Sequence, residues 1–171
     1  MLDLDKVKLV LFDFDDTLCI RSRRKSIDNK GIDFIARILG HGSERYDYSF
    51  SPSFIMKWFV IECASQGKSL GVLSAVAVAQ EAELKMKYVI ENYDVNMINY
   101  CCSSVEDKIQ VLEAIAISTG IPKECILLVD DLTHTIEKAA DAGFMTCSPM
   151  EIVVLYEKEF LISKKKGVDI S

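Results

Sequence analysis

No apolar run in the chain approaches the ~20 residues that a membrane-spanning helix requires, which argues against a membrane protein. The opening MLDLDKVK places two acids ahead of the first apolar run and does not read as a signal peptide. The basic excess of a nucleic-acid surface is also missing, since the net charge is −6. No C-x-x-C pair occurs among the six cysteines, Cys19, Cys63, Cys101, Cys102, Cys125 and Cys147. Scattered and mostly in apolar contexts, they read as small buried hydrophobes in a reducing cytosol, not as a disulfide framework. Cytoplasmic localisation is the resulting expectation. Histidine is scarce, with His41 between two glycines and His134 on the surface of a helix. Internal repeats and low-complexity linkers are absent.

What is present is an ordinary globular balance, with 171 residues of which half are apolar and 27% charged. That length suits one domain over residues 1–171, with room for a real core. The runs VKLVLF, SLGVLSA, MINYCC, CILLVDD and FMTCS read as five strands. Between them lie helical patterns: FIMKWFVIECASQG, with Phe54, Ile55, Trp58, Phe59 and Cys63 as its inner stripe; VAVAQEAELKMKYVIENY; SVEDKIQVLEAIAISTG, with Val105, Ile109, Leu112 and Ala116 at core spacing and Gly120 as its C-terminal glycine; and LTHTIEKAADAG. An earlier helix is expected over IDFIARILG, and one more in the tail before a polar end in which Lys164, Lys165 and Lys166 fray. Strands alternating with helices at this spacing imply βαβ crossovers. The predicted fold is therefore α/β, a three-layer Rossmann-like domain with a mostly parallel sheet.

Ligands of such sheets bind outside the carboxyl ends of the strands, and polar residues gather at those ends here. Asp13 and Asp15 follow the first strand, Ser74 the second and Asp130 and Asp131 the fourth, while Lys108 lies just beyond the third. Crowded carboxylates call for a cation, and hard oxygen ligands without histidine point to Mg²⁺. A lysine and a hydroxyl beside them complete the inventory of a phosphoryl-transfer site. A carboxylate can attack phosphorus to give an aspartyl-phosphate. A second acid two residues on can protonate the leaving oxygen and later deprotonate water, which fits Asp13-x-Asp15.

These residues carry a resemblance. DFDDTL resembles motif I, D-x-D-x-T, of the haloacid dehalogenase (HAD) superfamily, and GVLSA is similar to its motif II. Lys108 in SSVEDKIQ resembles the motif III lysine, and LLVDD the acidic motif IV. The four run in family order from Lys8 to Asp131, and the likeness is to the small magnesium-dependent phosphatases. The resemblance implies Asp13 as nucleophile and Mg²⁺ ligand, and Asp15 as general acid/base that gives its backbone carbonyl to the metal. It implies Thr17 as support of the motif I turn at the substrate end, Ser74 as a binder of the phosphoryl oxygen and Lys108 as the cation steadying Asp13 and the phosphoryl group. Asp130 completes the protein ligands, with Asp131 direct or through water. Asp15 favours phosphate chemistry, because the dehalogenases of the superfamily lack that second acid. Asp16 is assigned no role.

Residues 18–53 suffice for a flap or minimal cap, leaving an open cleft for a phosphoprotein or a small phosphorylated metabolite. The basic run Arg21, Arg23, Arg24 and Lys25 reads as a solvated loop, beside the alternative that it attracts an anionic substrate. Cys101 and Cys102 read as buried packing rather than redox thiols. Two other functions compete with an aspartyl-phosphate phosphatase. A receiver-type signalling domain uses similar groups, but there the lysine comes last, whereas Lys108 precedes Asp130. A catalytically silent scaffold would have no need of a full set of site residues.

Overall fold

The computed structural model describes residues 3–19 and 54–165. The expected flap over 18–53, beyond Leu18 and Cys19, lies outside the described residues, as do the helix expected in IDFIARILG, His41 and the basic run at 21–25. Five strands, β1 (Leu9–Phe12), β2 (Ser69–Ala75), β3 (Ile98–Cys102), β4 (Ile126–Val129) and β5 (Met145–Cys147), form one sheet in the order β3-β2-β1-β4-β5. Every neighbouring pair is parallel. The connecting helices are α1 (Phe54–Ser65), α2 (Ala79–Tyr93), α3 (Lys108–Thr119), α4 (Thr133–Asp141) and α5 (Pro149–Lys165).

Strands buried on both faces need apolar residues at every position, and β1 (LVLF) and β4 (ILLV) are buried throughout. Their alternating side chains feed two cores. Val10 and Phe12 join Met56, Phe59, Val60 and Cys63 of α1, Tyr88, Val89 and Tyr93 of α2 and Ile152 of α5. Leu9 and Leu11 join Leu112, Ile115 and Ala116 of α3 and Ala139 of α4. Three layers result, as the sequence predicts.

The structure corrects several of these expectations. Phe54 does not belong to the inner stripe of α1: it is 72% exposed, while Met56 and Val60 turn inward with Phe59 and Cys63. Nearly every residue of that helix is apolar, so its period does not mark a face. α5 extends through Lys164 and Lys165, two of the three lysines of the expected polar end. All six cysteines are free, yet Cys101 is exposed, because β3 is an edge strand with half-open faces. Gly120 caps α3 in the left-handed conformation, with φ 65°. No helix among the described residues is long and apolar enough to cross a membrane.

Gly71 has a different task. A Cβ there would lie 2.8 Å from Leu11 Cδ2, 2.9 Å from the Tyr100 ring and 3.1 Å from the Ile98 carbonyl oxygen. The close packing of β2 on its neighbours requires hydrogen at that position. Gly71→Ala is expected to destabilise the protein by about 1–3 kcal/mol, the usual cost of overpacking. A urea midpoint no lower than the wild type's would show that the strands yield to the extra methyl.

Candidate active site

β1 and β4 are adjacent and in register, so the residues just past their ends meet. Asp13 remains tied to the sheet, its N–H donating to the Val129 carbonyl at 2.8 Å, and the Asp130 N–H donates to Cys147 at 3.2 Å. After Asp13 the chain folds into a tight turn. Asp16 takes a left-handed conformation, φ 58°, its N–H bonds to the Cys19 carbonyl at 2.9 Å and the Cys19 N–H bonds to the Phe14 carbonyl at 2.9 Å. The buried Tyr93 hydroxyl donates to the Leu18 carbonyl at 2.6 Å and pins the turn from below.

Lys108 opens α3. The turn that delivers it is held by Ser103 and Ser104, whose hydroxyls donate to Asp107 Oδ2 at 2.6 and 2.9 Å. Lys108 is 1% exposed, and its ammonium lies 2.5 Å from Asp13 Oδ1 and 2.7 Å from Asp130 Oδ2. Asp130 Oδ1 accepts the Leu132 N–H at 2.9 Å. Asp13, Asp130 and the exposed Asp131 each present a carboxylate oxygen within 4.8 Å of the others. An all-oxygen set of this size suits a hard divalent cation. Burial, joined by the charges of Asp130 and Asp15, pushes the Asp13 carboxyl up to about 7 against the pull of Lys108. Burial and then Asp130 raise Asp131 as well. For Lys108, burial disfavours the charge, but Asp13 and Asp130 outweigh it and hold its pKa above the usual range. Three acids crowd one ammonium, and the site is short of positive charge.

A second buried cation stands on the other side of the turn. Lys85 of α2 is 1% exposed. Its ammonium lies 2.8 Å from Asp15 Oδ2, 2.8 Å from Ser74 Oγ, 3.0 Å from the Ala75 carbonyl and 3.1 Å from Glu81 Oε1. The Phe14 ring centroid is 5.3 Å away. Glu81 is also buried, and its other oxygen accepts the Ala77 N–H at 2.8 Å.

The sequence-predicted residues therefore fall into two groups. Asp13, Lys108, Asp130 and Asp131 gather at the carboxylate cluster. Asp15 and Ser74 are instead joined through Lys85. Asp13, Asp15, Lys108 and Asp131 all line one cleft of about 130 Å³, with Ala75, Val105 and Leu132. Ser74 is buried in β2 beside it. Thr17, expected to support the turn and contribute at the substrate end, is wholly buried beneath the turn; it does not line the cleft but contributes to the wall of the adjoining groove. Its Oγ1 makes no hydrogen bond among the described residues. A larger groove of about 340 Å³ adjoins the cleft, sharing Asp16 and Asp131 and walled by Ile55, Met56, Pro149, Met150 and Val153. His134 is exposed on α4. Burial raises the Cys102 thiol to about 11 and also raises Cys101, so neither is an activated thiolate.

Sequence reasoning missed Lys85 and Glu81. The signal was there, because they share one helical face with Tyr88, Val89 and Tyr93: a charged pair sits on the stripe that packs inward.

No protein-family model matches the chain, and no curated protein matches it. Solved structures do share its fold. The wild-type HAD-family enzyme bt-2542 of Bacteroides thetaiotaomicron, in complex with magnesium and inorganic phosphate, is 14% identical, with a TM-score of 0.58 over 83% of this chain and 93% of that one. A predicted HAD-like family hydrolase from Porphyromonas gingivalis is 15% identical, with a TM-score of 0.57 over 84% and 91%. The cobalt-bound deoxy-D-mannose-octulosonate 8-phosphate phosphatase of Haemophilus influenzae is 12% identical, with a TM-score of 0.51 over 85% and 70%. The chain has the HAD-like α/β fold.

The raised Asp13 carboxyl has a thermodynamic consequence. Its folded value of about 7 exceeds the ordinary 3.8, so the folded state holds a proton that the unfolded state releases. That stabilisation is complete below the unfolded value and is lost as pH rises through the folded one. In metal-free buffer the wild type is expected to lose thermal stability relative to Asp13→Asn between about pH 4 and pH 7. A difference in Tm that stays flat over this range would show that Asp13 is ionised in the folded protein throughout.

Proposed function

We propose that the chain is a Mg²⁺-dependent phosphomonoester hydrolase that works through an aspartyl-phosphate. One observation carries this reading: a buried carboxylate, Asp13, ends the central strand against Lys108, with Asp130 and Asp131 within a ligand's reach. The all-oxygen donor set and its shortage of positive charge fit a hard divalent ion, which Asp13, Asp130 and Asp131 would hold together with the Asp15 backbone carbonyl. Bound there, magnesium would supply neutralisation of the phosphoryl charge.

The residues divide the remaining work. An Asp13 oxygen attacks phosphorus and forms a new O–P bond while the ester P–O bond breaks. Asp15 gives its proton to the departing alkoxide. Lys108 holds the nucleophile in line and balances the charge carried by the phosphoryl oxygens, and the Ser74 hydroxyl donates to one of those oxygens. In the second half-reaction Asp15 takes a proton from water, the water oxygen attacks phosphorus, and the acyl–phosphate bond opens to restore Asp13 and release inorganic phosphate. The substrate is a small phosphorylated metabolite or a phosphoprotein. The neighbouring groove, and the small sugar-acid phosphate named for the Haemophilus influenzae enzyme, support the small ester.

p-Nitrophenyl phosphate should be hydrolysed with added Mg²⁺ and left intact once the metal is chelated; pure, folded protein that releases no nitrophenol in either condition points to the silent scaffold. Asp13→Asn should abolish turnover while leaving the circular dichroism spectrum unchanged, and a variant that keeps most of its activity would remove Asp13 as nucleophile. A panel of sugar phosphates, nucleotides and phosphopeptides, compared by kcat/KM, should favour a small ester, and a preference for phosphopeptides would reassign the substrate class.

A further inference from the structure

Lys85 is 1% exposed and lies behind the cleft wall, where its ammonium meets Asp15, which lines the cleft, and Ser74, which is buried beside it. Four acceptors surround its ammonium within 3.1 Å: Asp15 Oδ2, Ser74 Oγ, the Ala75 carbonyl and Glu81 Oε1. An ammonium has three N–H donors and no acceptor. Ser74 Oγ can therefore meet it only as an acceptor, which commits the serine's own O–H to a different partner. Among the described residues that O–H has only the Ala75 carbonyl at 3.3 Å, a poor bond by length. The hydroxyl is thus kept as a donor in want of a good acceptor. On the opposite side the same ammonium fixes one oxygen of Asp15, whose side chain is 29% exposed where it faces the cleft.

A lysine this deeply buried is costly unless it is paired. Three groups hold it in place: Glu81 one helical turn earlier, the Phe14 face in the motif turn, and the Ala75 carbonyl at the end of β2. The Phe14 ring is itself packed edge-on against Tyr88, at 5.5 Å between centroids. Lys108 serves Asp13 and Asp130, whereas the carboxylates beside the Lys85 ammonium are Asp15 and Glu81.

We propose that Lys85 is a positioning residue that links the proton-transfer acid Asp15 to the phosphoryl-binding hydroxyl of Ser74. One buried ammonium sets the rotamer of the first and the donor direction of the second. The inference rests on the phosphatase reading, in which Asp15 protonates the leaving group. It extends that reading to a residue of α2 outside the four motif stretches.

The test uses two esters of unequal demand. p-Nitrophenolate leaves with little help, whereas an alkoxide must be protonated as it departs, so misplacing Asp15 penalises alkyl phosphates more. Lys85→Met is expected to lower kcat/KM for an alkyl phosphate by about 10²-fold, within the usual range for general acid catalysis, and for p-nitrophenyl phosphate by clearly less. Lys85→Arg, which keeps charge and donors, should recover part of the difference. Combining Lys85→Met with Ser74→Ala should cost less than the product of the two single losses, because both act on one bond network. Lys85→Met leaves Glu81 unpaired, so folding is checked by circular dichroism; if it fails, the same ratio is read from Glu81→Gln, where a smaller shift in the same direction is expected. Equal losses on both esters, or no loss, in a folded variant overturn the role of Lys85 while leaving the phosphatase reading intact. A wild type inactive on both esters overturns that reading and this inference with it.

Discussion

Positive charge is the scarce commodity in this molecule's centre. A parallel sheet gathers the carboxyl ends of its strands along one edge, and here that edge carries Asp13, Asp15, Asp130 and Asp131. Left alone, these groups would repel one another or take up protons. Two buried lysines hold the arrangement together from opposite sides: Lys108 reaches Asp13 and Asp130, and Lys85 reaches Asp15. Buried ion pairs are a poor source of net stability, since desolvation consumes much of the Coulomb gain. Their presence is better understood as the cost of holding reactive carboxylates in fixed geometry, with the apolar layers on both faces supplying the stability. Burial first, and the neighbouring charges of Asp130 and Asp15 after it, raise the Asp13 carboxyl in spite of Lys108.

The two cations also divide the site by layer. Lys108 comes from α3, which packs on the Leu9 and Leu11 face, and Lys85 from α2, which packs on the Val10 and Phe12 face. The nucleophile's strand is thus clasped from above and below the sheet. α2 has a further hold on the motif turn: Lys85 binds Asp15, Tyr88 packs on Phe14 and Tyr93 holds Leu18. A single helical face therefore contacts the turn at three places, and a small shift of α2 would move Asp15 without displacing Asp13, which is bonded to Val129 in the sheet.

Much of this was legible from the chain alone, for reasons that differ by residue. VKLVLF and CILLVDD are short and wholly apolar until their terminal acids, which leaves little choice but central strands with reactive ends. Lys108 was readable because it lies just beyond a strand, near the start of the helix that follows. Lys85 was not, because AQEAELKMKYVIENY has the balance of a solvated helix and an i,i+4 Glu–Lys pair usually lies in water. Only the tertiary structure reveals that Glu81 and Lys85 lie on the same stripe as Tyr88 and Tyr93. Phe54 failed for the opposite reason: in a helix apolar on most sides, no face stands out, and packing into the core shared with β1 and α2 selects Met56 and Val60. The exposure of Cys101 followed from β3 being an edge strand, and strand order is not written in local composition.

Strand order has a last implication for how the protein comes into being. β1 lies between β2 and β4, and its pairing with β4 joins residues more than a hundred positions apart. During synthesis β2 can dock early, but the other border of LVLF stays bare until ILLV leaves the ribosome. An unpaired, wholly apolar border is a template for association with other chains. The strand that leads into Asp13 is thus an adhesive segment of the nascent chain, and the docking of β4 that shields it is the same event that brings Asp130 to Asp13. Solubility and the assembled carboxylate cluster arrive in one folding step.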